Sequence, residues 1–232
     1  IRHKGFIPWD DDIDIMMPRP DYEKLKQILM KNPIDGLKYM SNETQDDFYY
    51  PFAKVVSTKT TIKEYKTLEI KDYGVFVDIF PIDGVNSNKI KRFFQVKSLK
   101  ILRNLIQISF HEEEISNSKV KKYIKQILSI FAKAVGFRRW IKIAQKIMKK
   151  NDYNHSKYVT LLYNDISIKR NKIYEKNFFE KLVYKKFEDK EFLVINNYDT
   201  YLKDLFGDYM KLPPLESQKS NHNFERLIWK NN

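Results

Sequence analysis

The chain has 232 residues, 42% of them hydrophobic and 15% aromatic, enough to bury a core in one domain and too apolar for a disordered chain. It has no cysteine, which excludes disulfides and thiolate metal sites and suits a reducing compartment; no apolar run reaches the roughly 18 residues that span a bilayer. The net charge of +13 is uneven: residues 89–150 hold seventeen basic residues against three acids, a net of +14, and the rest of the chain is net −1. Such a field implies an anionic partner, whether nucleic acid, an acidic membrane face or a phosphate-rich polymer. A genomic bias toward Lys, Ile, Asn, Tyr and Phe is the competing explanation, but bias alone does not gather the charge in one segment.

The first informative stretch is Trp9-Asp10-Asp11-Asp12-Ile13-Asp14, with four carboxylates in six positions. Read as a strand over 10–17, it places Asp10, Asp12 and Asp14 on one face and Asp11, Ile13 and Ile15 on the other. Three oxygens at that spacing form a hard-cation site of the kind that holds Mg²⁺ against phosphates. A polar turn or solvated edge is the alternative; Ile13, Ile15 and Met16 argue for a buried strand. Pro18 and Pro20 end the strand. A helix follows from Pro20 or Asp21 to about Lys31, with Tyr22, Leu25, Ile28 and Leu29 as its apolar stripe and Pro33 as its stop.

Phe52–Ser57 and Thr60–Tyr65 alternate and read as a strand pair. Val75–Phe80 reads as a strongly apolar strand ended by Pro81 and Gly84, with Asp83 assigned to turn chemistry. Residues 89–110 and 118–150 lack proline and repeat apolar residues at helical spacing, predicting two or three helices with a break at Gly136. Tyr158–Leu162 and Leu182–Phe187 read as strands. Tyr198–Leu205 reads as a helix with Gly207 as its C-terminal cap. The layout is a mixed α/β core, residues 1–88 and 151–232, interrupted by a basic helical insertion at 89–150.

Asp78 is the single acid inside the strand at 75–80. An unpaired carboxylate there is costly to bury, so it needs a cation, a donor or a proton. If this strand lies beside the first, Asp78 converges with Asp12 and Asp14 into a centre for metal-assisted phosphoryl or nucleotidyl transfer. The alternative is a strand-end residue that caps the following turn.

The stretch HKGFIPWDDDIDIMMPRPDYEKL (3–25) resembles the LicD family, which also includes the fukutin-type proteins. The resemblance continues through YPFAKVVS (50–57), GVFVDIFPIDG (74–84) and FGDYMKLPP (206–214), in the family's order. It implies an α/β (α+β) fold with a nucleotidyltransferase-like mixed sheet. It also implies transfer of a phosphorylated alcohol, such as phosphocholine, from a CDP-activated donor to a sugar hydroxyl of a glycan: teichoic acid, lipopolysaccharide or capsule. Matched residue by residue, the resemblance implies that Asp12 and Asp14 bind Mg²⁺ (Mn²⁺ being a second choice), with Asp10 supporting. It implies for Asp78 the role of base for the acceptor hydroxyl or of a further metal ligand. Asp208, Tyr209, Pro213 and Pro214 match the late motif. The family's Gly-Thr-Leu-Leu-Gly element is expected just before Ile1, so the N-terminus is read as truncated. The cysteine cluster of some animal relatives is absent, which favours the bacterial type.

Arg2, His3 and Lys4 stand close to the acids in sequence and are candidates, Arg2 and Lys4 foremost, for contact with donor phosphates. Trp9 packs, or stacks on a base or sugar. Lys219 and His222 follow the Pro-Pro pair, where the family carries basic residues, and are candidate phosphate contacts. His111 and His155 read as surface residues. The basic helices read either as a face that docks on anionic lipid, with Phe93, Phe94 and Trp140 as anchors, or as an insertion packed on the core. The expected location is cytoplasmic, peripheral at the inner face of the plasma membrane. Nucleic acid is disfavoured as a partner, because the four acids repel phosphate without a metal. The rival classes are a non-catalytic binding module and a CDP-ribitol or CDP-glycerol phosphotransferase.

Overall fold

The computed structural model describes residues 1–110, 119–163, 172–220 and 224–230. In chain order the elements are β1 (Asp14–Pro18), α1 (Arg19–Lys31), β2 (Leu37–Met40), β3 (Ala53–Ser57), β4 (Thr60–Glu64) and β5 (Phe76–Val85). The helices α2 (Lys89–Phe110), α3 (Lys119–Val135) and α4 (Phe137–Met148) follow. The C-terminal part contains β6 (Tyr158–Thr160), β7 (Tyr174–Glu175), β8 (Leu182–Phe187), β9 (Lys190–Ile195), α5 (Tyr198–Phe206) and β10 (Phe224–Trp229). The fold is mixed α/β, as the sequence predicts. Among the described residues no helix is long and apolar enough to cross a membrane.

The main sheet has six strands, with β5 as its hub: parallel to β1, antiparallel to β3 and β6, with β2 outside β3 and β7 outside β6. Here β5 runs ten residues, past Pro81 and Gly84, rather than ending there. The reason is the direction in which the backbone points. Asp78 N–H donates to Ile13 O at 2.9 Å, so by alternation the amides of residues 80 and 82 also face β1. The nitrogen of Pro81 therefore faces the opposite side, where β3 pairing has already stopped at Ala53–Ile79 and no N–H is required.

Two further readings change. β3 and β4 do not pair with each other: β3 lies between β2 and β5, and β4 pairs with the distant β10. Gly74 permits this arrangement, since a Cβ there would stand 2.0 Å from Ser57 O. Asp83 is not a turn residue. It lies inside β5, 1% exposed, and Arg19 clasps it bidentately, Nε to Oδ1 at 2.7 Å and Nη2 to Oδ2 at 2.8 Å.

Alternation along β5 sorts its side chains. Ile79 joins Tyr22, Tyr39 and Ala53 under α1, and Asp83 meets Arg19 from that side. Phe80 and Ile82 face the other way, toward Phe52, Val159 and Phe179; Asp78 shares their phase. The basic helices supply much of the largest core cluster, where Leu99, Leu102, Ile106, Ile141 and Met148 pack with Val56, Phe76 and Val85. Gly136 separates α3 from α4 with φ +84°, as its predicted break requires. Gly207 caps α5 with φ +73°, its N–H donating to Lys203 O.

The Arg19–Asp83 clasp fastens the start of α1 to the end of β5, and so sets where β1 lies. Arg19→Ala is expected to cost about 3–5 kcal/mol by leaving a buried carboxylate alone. The double substitution Arg19→Leu with Asp83→Leu is expected to recover most of that loss. Urea denaturation of the two variants beside the parent measures both.

Candidate active site

β1 begins at Asp14, four residues later than the strand predicted over 10–17. Asp10, Asp11 and Asp12 lie in the approach to it, where Asp10 N–H donates to Ile7 O at 3.0 Å. Strand alternation therefore does not gather the acids. The turn does, and it includes Asp11, which alternation assigned to the other face. Carboxylate oxygens of Asp10, Asp11 and Asp12 come within 4.8 Å of one another. Crowding of that kind suits a hard cation between them.

Asp14 enters the site through sheet register. In the parallel β1–β5 pair Asp14 stands opposite Asp78, and in the antiparallel β3–β5 pair Lys54 stands opposite Asp78 on its other side. Lys54, Asp78 and Asp14 thus form one rung across three adjacent strands, with side chains on the same face. Lys54 is 2% exposed and Asp78 7%. Lys54 Nζ lies 2.6 Å from Asp78 Oδ1 as an ion pair, yet Oδ1 accepts no well-aligned hydrogen bond. Phe76 at 3.4 Å and Tyr50 at 4.4 Å offer ring faces to the ammonium, with Phe52 and Tyr73 farther out. The Tyr50 and Tyr73 hydroxyls both donate to Glu64, at 2.7 and 2.6 Å, which fixes their rings. A single lysine inside the apolar strand 53–57 was the sequence signal for this residue, and only the pairing with β5 gives it a partner.

The acids feel one another. Burial pushes the Asp14 carboxyl up to about 7, and Asp12, Asp78 and Asp10 add to the rise while Lys54 opposes it. Much of the Asp14 side chain is accessible, so solvent moderates this crowding. Burial also raises Asp78, against the pull of Lys54, and Asp12 contributes repulsion. Asp10, Asp12, Asp14 and Asp78 therefore share one electrostatic site, as the sequence reading expects. An all-oxygen, anionic donor set, with the carboxylates of Asp10, Asp11 and Asp12 within 4.8 Å of one another, fits a hard cation such as Mg²⁺ or Mn²⁺.

The basic candidates are dispersed. Arg2 Nη1 donates to Tyr209 O at 2.8 Å and Lys211 O at 3.1 Å, tying the N-terminal segment to the late motif. Trp9 packs edge-on against His3 and under Arg2. Lys4 sits where the chain passes the β8–β9 turn: its carbonyl accepts from Glu188 N–H, and Phe6 N–H donates to the Glu188 carboxylate. Lys219 is exposed, but its neighbour Ser220 donates to Asp11 Oδ2 at 2.6 Å, a contact that no sequence motif marked. The late motif and the segment after it, through Ser220, thus link Arg2 and the acidic stretch; Tyr209 adds a bond to Asp199 at 2.9 Å. His222 and His111 lie outside the described residues. His155 is a surface residue bonded to Asp152.

The mixed sheet brings acids from two neighbouring strands together with those of the segment before β1, and the comparisons set the chain among transferases. The model of the family described as LicD/FKTN/FKRP, nucleotidyltransferase domain, matches residues 1–116, a span that holds all four acids. The lipopolysaccharide cholinephosphotransferase LicD of Haemophilus influenzae (strain ATCC 51907 / DSM 11121 / KW20 / Rd) is 32% identical over 233 aligned residues, covering 98% of this chain and 84% of that protein. No solved structure matches. The chain belongs to the LicD family.

The raised Asp14 carboxyl has a signed consequence for stability. Between its ordinary value of 3.8 and about 7, the folded protein holds a proton that the unfolded chain has released. The stability tied to this group is complete below 3.8 and is lost as pH rises through about 7. In EDTA, Asp14→Asn is expected to melt above the parent at about pH 8, with the gap narrowing as pH falls toward about 4. Thermal melts across that range measure it; a gap independent of pH would contradict the repulsion.

Proposed function

We propose that this chain transfers phosphocholine from CDP-choline to a sugar hydroxyl of lipopolysaccharide in a bacterial cell envelope. The observation that carries this reading is the Asp14–Asp78 rung with Asp10 and Asp12 beside it, within a chain similar to a lipopolysaccharide cholinephosphotransferase along almost its whole length. Asp12, Asp14 and Asp78, with Asp10 supporting, would hold Mg²⁺ or Mn²⁺, which would supply positive charge against the donor diphosphate and the CMP leaving group.

The rest of the task falls to the chain's own residues. Phosphoryl transfer asks mainly for positioning and charge rather than for covalent chemistry by the protein. Asp78 is anchored by Lys54 in the most buried part of the rung, which suits a fixed ligand better than a base that must meet the acceptor hydroxyl. Asp14 and Asp10 are the exposed acids of the group, which leaves them open to an incoming substrate. Arg2 and Trp9 hold the N-terminal segment onto the late motif, and Ser220, six residues beyond that motif, bonds Asp11, so their contribution is to fix the acidic stretch.

The test is release of CMP by the full chain, given Mg²⁺ and a lipopolysaccharide acceptor, from CDP-choline, CDP-ribitol and CDP-glycerol in parallel. CMP is expected from CDP-choline and is expected to disappear with EDTA. Asp12→Asn and Asp14→Asn are each expected to lower the rate at least roughly a hundredfold, or ~2.7 kcal/mol of barrier, in proteins that still melt cooperatively. Release from CDP-ribitol or CDP-glycerol alone would reassign the donor. Full activity in either variant would remove the metal assignment, and no release from any donor would favour a non-catalytic binding module.

A further inference from the structure

We infer that the N-terminal half of α2 is a docking surface for an anionic phospholipid leaflet. The inference rests on that helix and its neighbouring cavity, and is independent of the acidic site.

The helix opens Lys89-Ile90-Lys91-Arg92-Phe93-Phe94, and its 22 residues include no acid. Asn88 caps it, its side-chain oxygen accepting from the N–H groups of Ile90 and Lys91 at 2.9 and 3.2 Å. Cations in the first turn oppose the helix dipole, so they weaken the helix they sit on. Arg92 has local work, donating to Asn86 O and lying over Tyr158. Lys89, Lys91, Lys97 and Lys100 have no ion-pair partner among the described residues, whereas Lys149 on the other side of the block meets Glu23 and Glu43.

Large apolar groups stand among these lysines. Ile90 is 69% exposed, Phe93 57%, Phe94 59% and Ile101 54%. The spacing 90, 94, 97 and 101 puts Ile90, Phe94, Lys97 and Ile101 on one stripe, and Phe93 adjoins Phe94 edge-on at 5.6 Å. The opposite face, with Gln95, Leu99, Leu102 and Ile106, is buried in the protein. The exposed stripe is thus a second apolar face, which folding does not use.

A cavity of about 430 Å³ opens beside Phe94, lined among others by Lys91, Lys150, Asn86, Gln95 and Asn151. The amides are bonded to one another or to backbone: Gln95 Nε2 to Ile147 O, and Asn151 Nδ2 to Gln95 Oε1, each at 3.1 Å. Lys91 and Lys150 are the charged residues of the lining. Exposed aromatic rings, the lysines around them and a largely apolar recess whose lining includes two lysines together match an acidic leaflet. Nucleic acid fits less well, because the aliphatic groups of Ile90 and Ile101 gain nothing from a phosphate backbone or a base stack.

The experiment is co-sedimentation of the full chain with vesicles of phosphatidylcholine alone and of phosphatidylcholine mixed with phosphatidylglycerol, at low and high salt. Binding is expected to the mixed vesicles only, and to fall with salt. Lys97→Ser and Lys100→Ser are each expected to lower partition roughly fivefold. Phe93→Ser with Phe94→Ser is expected to lower it at least as far without changing the thermal melt, since both rings are exposed. Equal binding to both vesicle types, no binding at low salt, or undiminished binding by the Phe93/Phe94 variant would overturn the proposal. So would binding to duplex DNA that is blocked by the same substitutions while vesicles are ignored.

Discussion

A charge buried at the centre of a sheet has to be answered by its neighbours, and in this protein Asp78 imposes that constraint on β5. The central strand is too apolar for an isolated carboxylate, whose desolvation is far more costly than a single ordinary hydrogen bond can offset. Lys54 answers it from β3 and Asp14 crowds it from β1, all in one rung. The rings of Tyr50 and Phe76 stabilise the lysine, and Glu64 holds Tyr50 and Tyr73 in place. One strand position thereby organises two neighbouring strands, an aromatic shell and the electrostatics of the acidic turn.

The same strand carries a second buried acid five residues on, and an odd spacing sends it to the opposite face. Asp83 meets Arg19 at the start of α1, so the two faces of β5 are each secured by one cation. Their roles differ. Both carboxylate oxygens of Asp83 are taken by one guanidinium, a closed pair suited to holding β1 and α1 in register. Asp78 is met by a single ammonium, at Oδ1, and stands beside further acids, a less complete pairing that can take a ligand. Local chemistry alone does not separate the two aspartates; the completeness of their pairing does.

Much of the candidate site is legible in the amino-acid sequence. The WDDDID run and the lone acid in Val75–Phe80 identify Asp10, Asp12, Asp14 and Asp78, and the structure brings all four into one electrostatic group. The reason for their proximity was not legible. Alternation in a strand starting at Asp10 would have excluded Asp11, whereas the turn before β1 includes it and engages it with Ser220. The sequence does not mark Lys54 or Arg19, because a cation in an apolar strand or after a proline acquires meaning only from a partner 24 or 64 residues away. Arg2 and Lys4 were read as phosphate contacts from proximity in sequence, yet backbone carbonyls and a distant hairpin turn hold the segment that carries them.

By itself the amino-acid sequence determined the element types where a period or a breaker was strong. It marked the helix after Pro20, the basic helices split at Gly136, α5 closed by Gly207, and the apolar strand around Asp78. Hydrophobic periodicity and backbone restriction are local properties, so local residues suffice to express them. Only the tertiary structure decided the pairing: β1 parallel to β5, β3 against β5 rather than β4, and β4 with β10 across more than half the chain. Pairing is non-local, set by which register buries the most apolar surface while leaving each buried charge a partner. That selection turned two sequence-separated acidic motifs and an unremarked lysine into one site.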